Sequence, residues 1–149
     1  MTASADTVGL LSKTKLAAGM TQEQVQVLAD CGNLESISDG DALVSSDETQ
    51  FDLIVVLEGG CEIRTPMNDV LSKLGPDSLI GEVSFLDHKP RSAKAIACGD
   101  CKTMRFPASL LDDLEATRPD IAAKLLKNIG IVLCQKLRST TRFAEASFV

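Results

Sequence analysis

The sequence predicts an α+β chain: an antiparallel β-roll of the jelly-roll barrel kind, flanked by N-terminal helices and a long C-terminal helix. Three observations carry that expectation. Short apolar and β-branched runs recur between Leu34 and Phe106, separated by Asn, Asp, Gly and Pro, which is the pattern of many short antiparallel strands. Before that stretch the chain reads as helix. After Pro107 helical periodicity returns, and from Asp120 to Ala146 it meets no proline. With 149 residues the chain has the length of one domain, taken as 1–149.

The N-terminal helices are expected over 8–32. Thr21 followed by Glu23 and Gln24 has the form of an N-cap with its capping-box partner, and Val25, Val27 and Leu28 supply an apolar face. The β-roll is expected over 34–106. FDLIVVLEGG has the richness of a buried strand, and Gly59-Gly60 is expected to turn it into CEIRTP. DVLSKL, SAKAIAC and CKTMRF supply further strands, with Gly99-Asp100 between the last two read as a hairpin turn. C-terminal helices are expected over 107–145. PASLLDDLEATRP is a short helix ended at the Arg118-Pro119 step. The long helix that follows carries two apolar lines. One runs through Leu126, Gly130, Leu133, Leu137, Thr140 and Ala144, the other through Ala122, Leu125, Ile129 and Val132. Both need burial. One can lie on the barrel, which leaves the other for a partner helix, including that of a second copy in a homodimer.

Composition excludes several function classes. Apolar residues make up 44% and charged residues 24%, ordinary for a soluble globular chain. No apolar run is long enough to span a bilayer, and the N-terminus lacks the basic stretch and apolar core of a secretory signal. A cytoplasmic location without membrane partners is therefore expected. The net charge of −6 comes without a basic stripe, so direct nucleic-acid binding is not expected, and an anion would have to be held by local donors. Five cysteines, an odd number without an export signal, argue for free thiols. Cys98 and Cys101 could form a redox or zinc CxxC, but His88 is the single histidine and no second CxxC exists, so the turn is the favoured reading. With one histidine, no multi-histidine metal centre can form. No nucleophile–base pair is visible, so neither enzyme nor cofactor is expected. Without Trp or Tyr, Phe is the aromatic side chain left for stacking on a ligand.

Residues 81–93 read GEVSFLDHKPRSA. Glu82 follows a glycine, Arg91 follows a proline, and Val83, Phe85 and Leu86 between them show no strand alternation. In isolation the two charges could be a surface ion pair worth about 0–1 kcal/mol. In this order, however, the segment resembles the phosphate-binding cassette of the cyclic nucleotide-binding domain family, in its catabolite-activator and protein kinase A regulatory-subunit types. That pattern is G-E-(apolar)-(small)-(apolar)-(apolar)-x-x-x-P-R-(small)-A. SDGDAL is similar to the family's glycine-containing turn, LIVVLEGGCEI to its strand-Gly-strand element, and SKLGP to the lead-in of the cassette. The resemblance covers roughly residues 16–145.

The chemistry of such a ligand matches the residue types. A cyclic phosphate suits a guanidinium fork and backbone N–H groups at a helix start, while a carboxylate can accept from a ribose hydroxyl. Gly81 permits close backbone approach and Pro90 stiffens the loop ahead of Arg91. The resemblance implies that Arg91 binds the cyclic phosphate, aided by Ser92 and by backbone N–H groups near Val83 and Ala93. It assigns the ribose to Glu82 beside Gly81. For the base it implies Thr140 and Thr141, with Lys136 where the catabolite-activator type has an arginine near the cassette glutamate; the alternative is a hydrophobic cap by Phe143 or Phe148. Lys136 is a departure, because it loses the fork. Asp77 stands where glycine is frequent, as does the turn in SSDET, and Ala17 where a bulky aromatic is usual. The implied function is a stand-alone cyclic nucleotide-binding sensor, cAMP ahead of cGMP, in which ligand closes the C-terminal helix over the base and an effector protein reads the change. The alternative is a degenerate β-roll scaffold for protein–protein interaction or dimerisation without ligand.

Overall fold

A computed structural model describes residues 2–45 and 50–143, with side chains to residue 139. The chain runs α1 (Ala5–Ser12), a 3-10 turn (Lys15–Ala17), α2 (Gln22–Asp30), β1 (Asn33–Ile37), β2 (Ala42–Val44), β3 (Leu53–Arg64), β4 (Val70–Leu74), β5 (Leu79–Ile80), α3 (Glu82–Asp87), β6 (Lys94–Phe106), α4 (Leu110–Thr117) and α5 (Pro119–Phe143). The expected α+β architecture is present, a β-roll between helices. The N-terminal region holds more than one helix, and the capping box expected at Thr21 is present. The Thr21 hydroxyl accepts from the Gln24 N–H at 3.2 Å while Gln24 Oε1 accepts from the Thr21 N–H at 2.9 Å. This capping box starts α2 as a separate helix, and Gly19, left-handed at φ 75°, lies in the link just before it.

Two long strands form the roll. β3 and β6 pair antiparallel from Leu53↔Phe106 to Arg64↔Lys94; β1 and β2 add to β6, while β4 and β5 add to β3. Two expectations are corrected here. Gly59-Gly60 and Gly99-Asp100 are not turns, because both strands continue through them. The register passes from Glu58↔Lys102 to Gly60↔Cys98, so Gly59 faces a wider bulge in β6. Gly59 and Gly99 take φ of 85° and 75°, and a Cβ on Gly59 would lie 2.9 Å from Cys101 Cα. The glycines therefore let the paired strands bend together, which gives the roll its corner.

β3 is a wall between two cores. Leu53, Val55 and Leu57 face the helices, whereas Ile54 and Val56 face the inside of the roll, the period-2 alternation of a strand; past the register shift at Glu58 and Gly60 the parity changes, and Cys61 also faces inward. α5 opens with proline, which suits a first helical position. Ala122, Leu125, Ile129 and Val132 lie in the helical core, as one of the two apolar lines requires. On the other line Leu126 and Leu137 stay 40% and 56% exposed. Polar contacts hold the first half of α5 to the N-terminal elements. Buried Asn128 donates to the Leu16 and Ala18 carbonyls at 2.8 and 2.9 Å, Lys124 to the Gly19 carbonyl at 2.8 Å, and Arg118 to Glu23 and Asp120.

Candidate functional site

β5 pairs with β3 through Val55↔Leu79 and Ile54↔Ile80, and so delivers Gly81 to one end of the roll. Gly81 takes φ 79° as the N-cap of α3. A Cβ there would fall 2.7 Å from Arg91 Cζ and nearer still to Nη1. Glycine is thus required twice, by the left-handed backbone and by the guanidinium packed against it. α3 ends at His88, itself left-handed at φ 55°, and Pro90 and Arg91 bring the chain back into β6.

Arg91 is buried, and its Nη2 donates to the Asp52 carbonyl at 2.7 Å and the Gln50 carbonyl at 3.3 Å. The Asp52 carboxylate meets Arg105 Nη1 at 3.4 Å, and Arg105 also reaches Glu35 at 3.1 Å and the Leu43 carbonyl at 2.7 Å. Segment 50–52 is in this way tied through Asp52 to Arg105 of β6, which is itself held by Glu35 of β1 and Leu43 of β2. Glu82 is only 5% exposed. Lys136 of α5 is ion-paired with its carboxylate and donates to the Leu79 carbonyl at 3.1 Å. A buried carboxylate needs such a partner, since isolated burial of the charge is costly.

These groups line one open groove of about 720 Å³, within the usual range of small-molecule sites. Gly81, Glu82, Val83, Arg91, Ser92, Ala93 and Lys136 all border it, so every expected cassette residue is brought together. Lys136, expected among the base contacts and in the place of an arginine near the cassette glutamate, has its ammonium on the Glu82 carboxylate. The side chains of Thr140, Thr141 and Phe143, all of Phe148 and most of SSDET lie outside the described residues. Sequence reasoning missed the groove's apolar wall from the sheet, Ile63, Leu71 and Leu74, and also Ser139, one turn beyond Lys136. The spacing from Lys136 to Ser139 was a usable signal, since residues three apart share a helix face. The groove also carries Lys89, Arg91, Lys94 and Lys136 against Glu82 and Asp87, so its lining is cationic although the chain is acidic overall.

The departures have physical accounts. Asp77 takes φ 67°, a region that Asp tolerates better than most residues, and its carboxylate accepts from the Lys15 N–H at 2.7 Å. Ala17 is buried in the helical core. Cys98 and Cys101 are separate free thiols on β6, one exposed and one buried. The Cys98 thiol donates to Glu62 at 3.2 Å, and loss of that bond on ionisation pushes its pKa up. Burial pushes the Cys61 thiol up to about 11. Among the described residues, no group of three or more His, Cys, Asp or Glu side chains could hold a metal ion, and no helix is long and apolar enough to cross a membrane.

The sequence profile described as the cyclic nucleotide-binding domain matches residues 34–118. Over 110 residues the chain is 26% identical to the Pycsar effector protein BcPycTIR of Burkholderia cepacia, covering 73% of this chain and 36% of that protein. Over 105 residues it is 28% identical to the CRP-like cAMP-activated global transcriptional regulator of Mycobacterium tuberculosis, covering 68% of this chain and 45% of that protein. The chain spans less than half the length of both curated relatives. The crystal structure of a cyclic nucleotide-binding domain from Methylobacillus flagellatus overlays with a TM-score of 0.81 at 23% identity, covering 92% of this chain and 79% of that one.

Proposed function

The chain belongs to the cyclic nucleotide-binding domain family, and from that premise we propose that it is a regulatory module sensing cAMP in preference to cGMP, a binding protein rather than an enzyme. The observation that carries the reading is the convergence of Glu82 and Arg91, both buried, on one cationic groove around Gly81. Arg91 supplies the charge-assisted donors for the cyclic phosphate, with Ser92 beside it, and Glu82 accepts from the ribose 2′-hydroxyl. Ile63, Leu71 and Val83 give the base an apolar bed. The preference for cAMP rests on two supports: a relative named as cAMP-activated, and Thr140 and Thr141 in the sequence position where the catabolite-activator type presents hydroxyls to adenine.

The end of α5 responds because Lys136 and the ribose share the Glu82 carboxylate. Ligand favours the arrangement in which that end settles over the base, and differential affinity for the two arrangements is the only source of the shift. The output is a changed α5 surface, read by an effector protein or by a second copy seated on the exposed Leu126 and Leu137 line.

Calorimetric titration of nucleotide-stripped protein with cAMP and cGMP tests the site. Micromolar or tighter binding is expected, with Arg91→Ala lowering affinity about 10- to 100-fold or more, as expected for one or two charge-assisted bonds. Glu82→Ala should cost less, since it gives up a bond to a neutral hydroxyl. An Arg91→Ala loss under about threefold, against charge-assisted bonds that each exceed that, refutes the phosphate assignment. Hydrogen exchange over residues 120–143 tests the movement: slower exchange is expected with saturating ligand, and no change would rule out the closure.

A further inference from the structure

His88, the single histidine of the chain, closes α3 at φ 55° and donates its backbone N–H to the Ser84 carbonyl at 2.8 Å. Histidine is one of the residues that adopt this left-handed backbone more readily than most, and here it turns the imidazole ring toward a neighbouring segment. Its ring stacks on Phe51, with ring centroids 5.3 Å apart and planes 25° from parallel. Phe51 stands between Gln50 and Asp52, the two residues whose carbonyls accept from Arg91 Nη2. One tripeptide therefore grips the segment 88–91 at both ends, by its ring at His88 and by its flanking carbonyls at Arg91. Only Lys89 and Pro90 separate the two grips. Lys89 donates its N–H to Asp87 Oδ1 at 3.0 Å, and Pro90 has a fixed φ, so the short span has little freedom to absorb a shift at either end.

We propose that the Phe51–His88 stack positions Arg91, making Phe51 and His88 positioning residues that set the guanidinium against Gly81 before ligand arrives. The proposal rests on the reading of Arg91 as the phosphate-binding residue and adds how its geometry is fixed. The preorganised guanidinium then loses less freedom on binding, and loss of the stack returns that cost as weaker affinity.

The test is a set of variants measured by calorimetry with cAMP, each first shown to be folded by its thermal transition. Phe51→Leu keeps the apolar volume but removes the ring, and His88→Asn keeps a residue that tolerates the left-handed backbone. Each is expected to lower affinity about 2- to 10-fold, the range that an aromatic pair is worth, while Phe51→Tyr restores the wild-type value. In an Arg91→Lys background, Phe51→Leu is expected to add little; full additivity would show that the stack does not act through Arg91 and would overturn the proposal. A second readout needs no ligand. Exchange of the Arg91 Nε proton, followed by NMR, is expected to quicken in Phe51→Leu, and an unchanged rate would overturn the proposal as well. Absence of cAMP and cGMP binding by the wild type would instead count against the site reading, and the exchange measurement would still decide whether the stack holds Arg91.

Discussion

At the scale of single residues, Gly81 ties backbone geometry to the placement of the Arg91 guanidinium. Any side chain there must adopt a left-handed backbone and also displace the Arg91 guanidinium. Gly81→Ala is therefore expected to cost cAMP affinity about as much as Arg91→Ala, on the order of 10- to 100-fold, because it moves the same charge. Titration of the two variants side by side checks this, and near-wild-type binding by Gly81→Ala would contradict it. Residue-scale features were the most legible in the sequence. Glycine, carboxylate, proline and guanidinium all fall within residues 81–93, and all border one groove. The Phe51 and His88 partnership was not legible, because it joins residues far apart in sequence through a stack that no residue type announces.

At the scale of elements, α5 is joined to α2 by an exposed polar clamp. Arg118 Nη1 meets Glu23 at 2.6 Å and Arg118 Nη2 meets Asp120 at 3.1 Å. The guanidinium holds the Asp120 carboxyl well below the usual carboxylate range and lowers that of Glu23 as well. Groups whose folded pKa is depressed stabilise the fold above their unfolded values and lose that contribution as pH falls through the folded ones. The Tm deficit of Arg118→Ala should accordingly be present at neutral pH, shrink as pH falls below the ordinary Glu value of 4.5, and shrink with added salt because the groups are exposed. Thermal scans across pH and salt check it, and a pH-independent deficit would remove the charges from the explanation. Element boundaries are less legible than element types. Gly59-Gly60 and Gly99-Asp100 each look like a turn in isolation, so two long strands were read as four. Only the fold places Gly59 against the β6 bulge, where glycines bend strands instead of ending them. The apolar lines of α5 were legible because helical spacing alone separates Ala122, Leu125, Ile129 and Val132 from Leu126 and Leu137.

At the scale of the whole molecule, the helical core and the core inside the roll share β3 as a common wall. Ile54 and Ile129 are fully buried on opposite sides of it. Ile54→Ala and Ile129→Ala should each cost about 2–5 kcal/mol, with one cooperative transition in urea for both variants. Two separated transitions in either variant would show that the cores unfold independently. The anchoring of α5 has a mechanical consequence. Asn128 clamps the helix to the N-terminal segment, and Lys136 ties it to the cassette farther along. Measured from Asn128, the tie lies about 12 Å out and residue 143 about 22 Å out. A helix clamped this way acts as a cantilever. Sideways play at the Lys136 tie is magnified about twofold at the tip, so under the proposed sharing of the Glu82 carboxylate residue 143 would travel about twice as far as the tie itself.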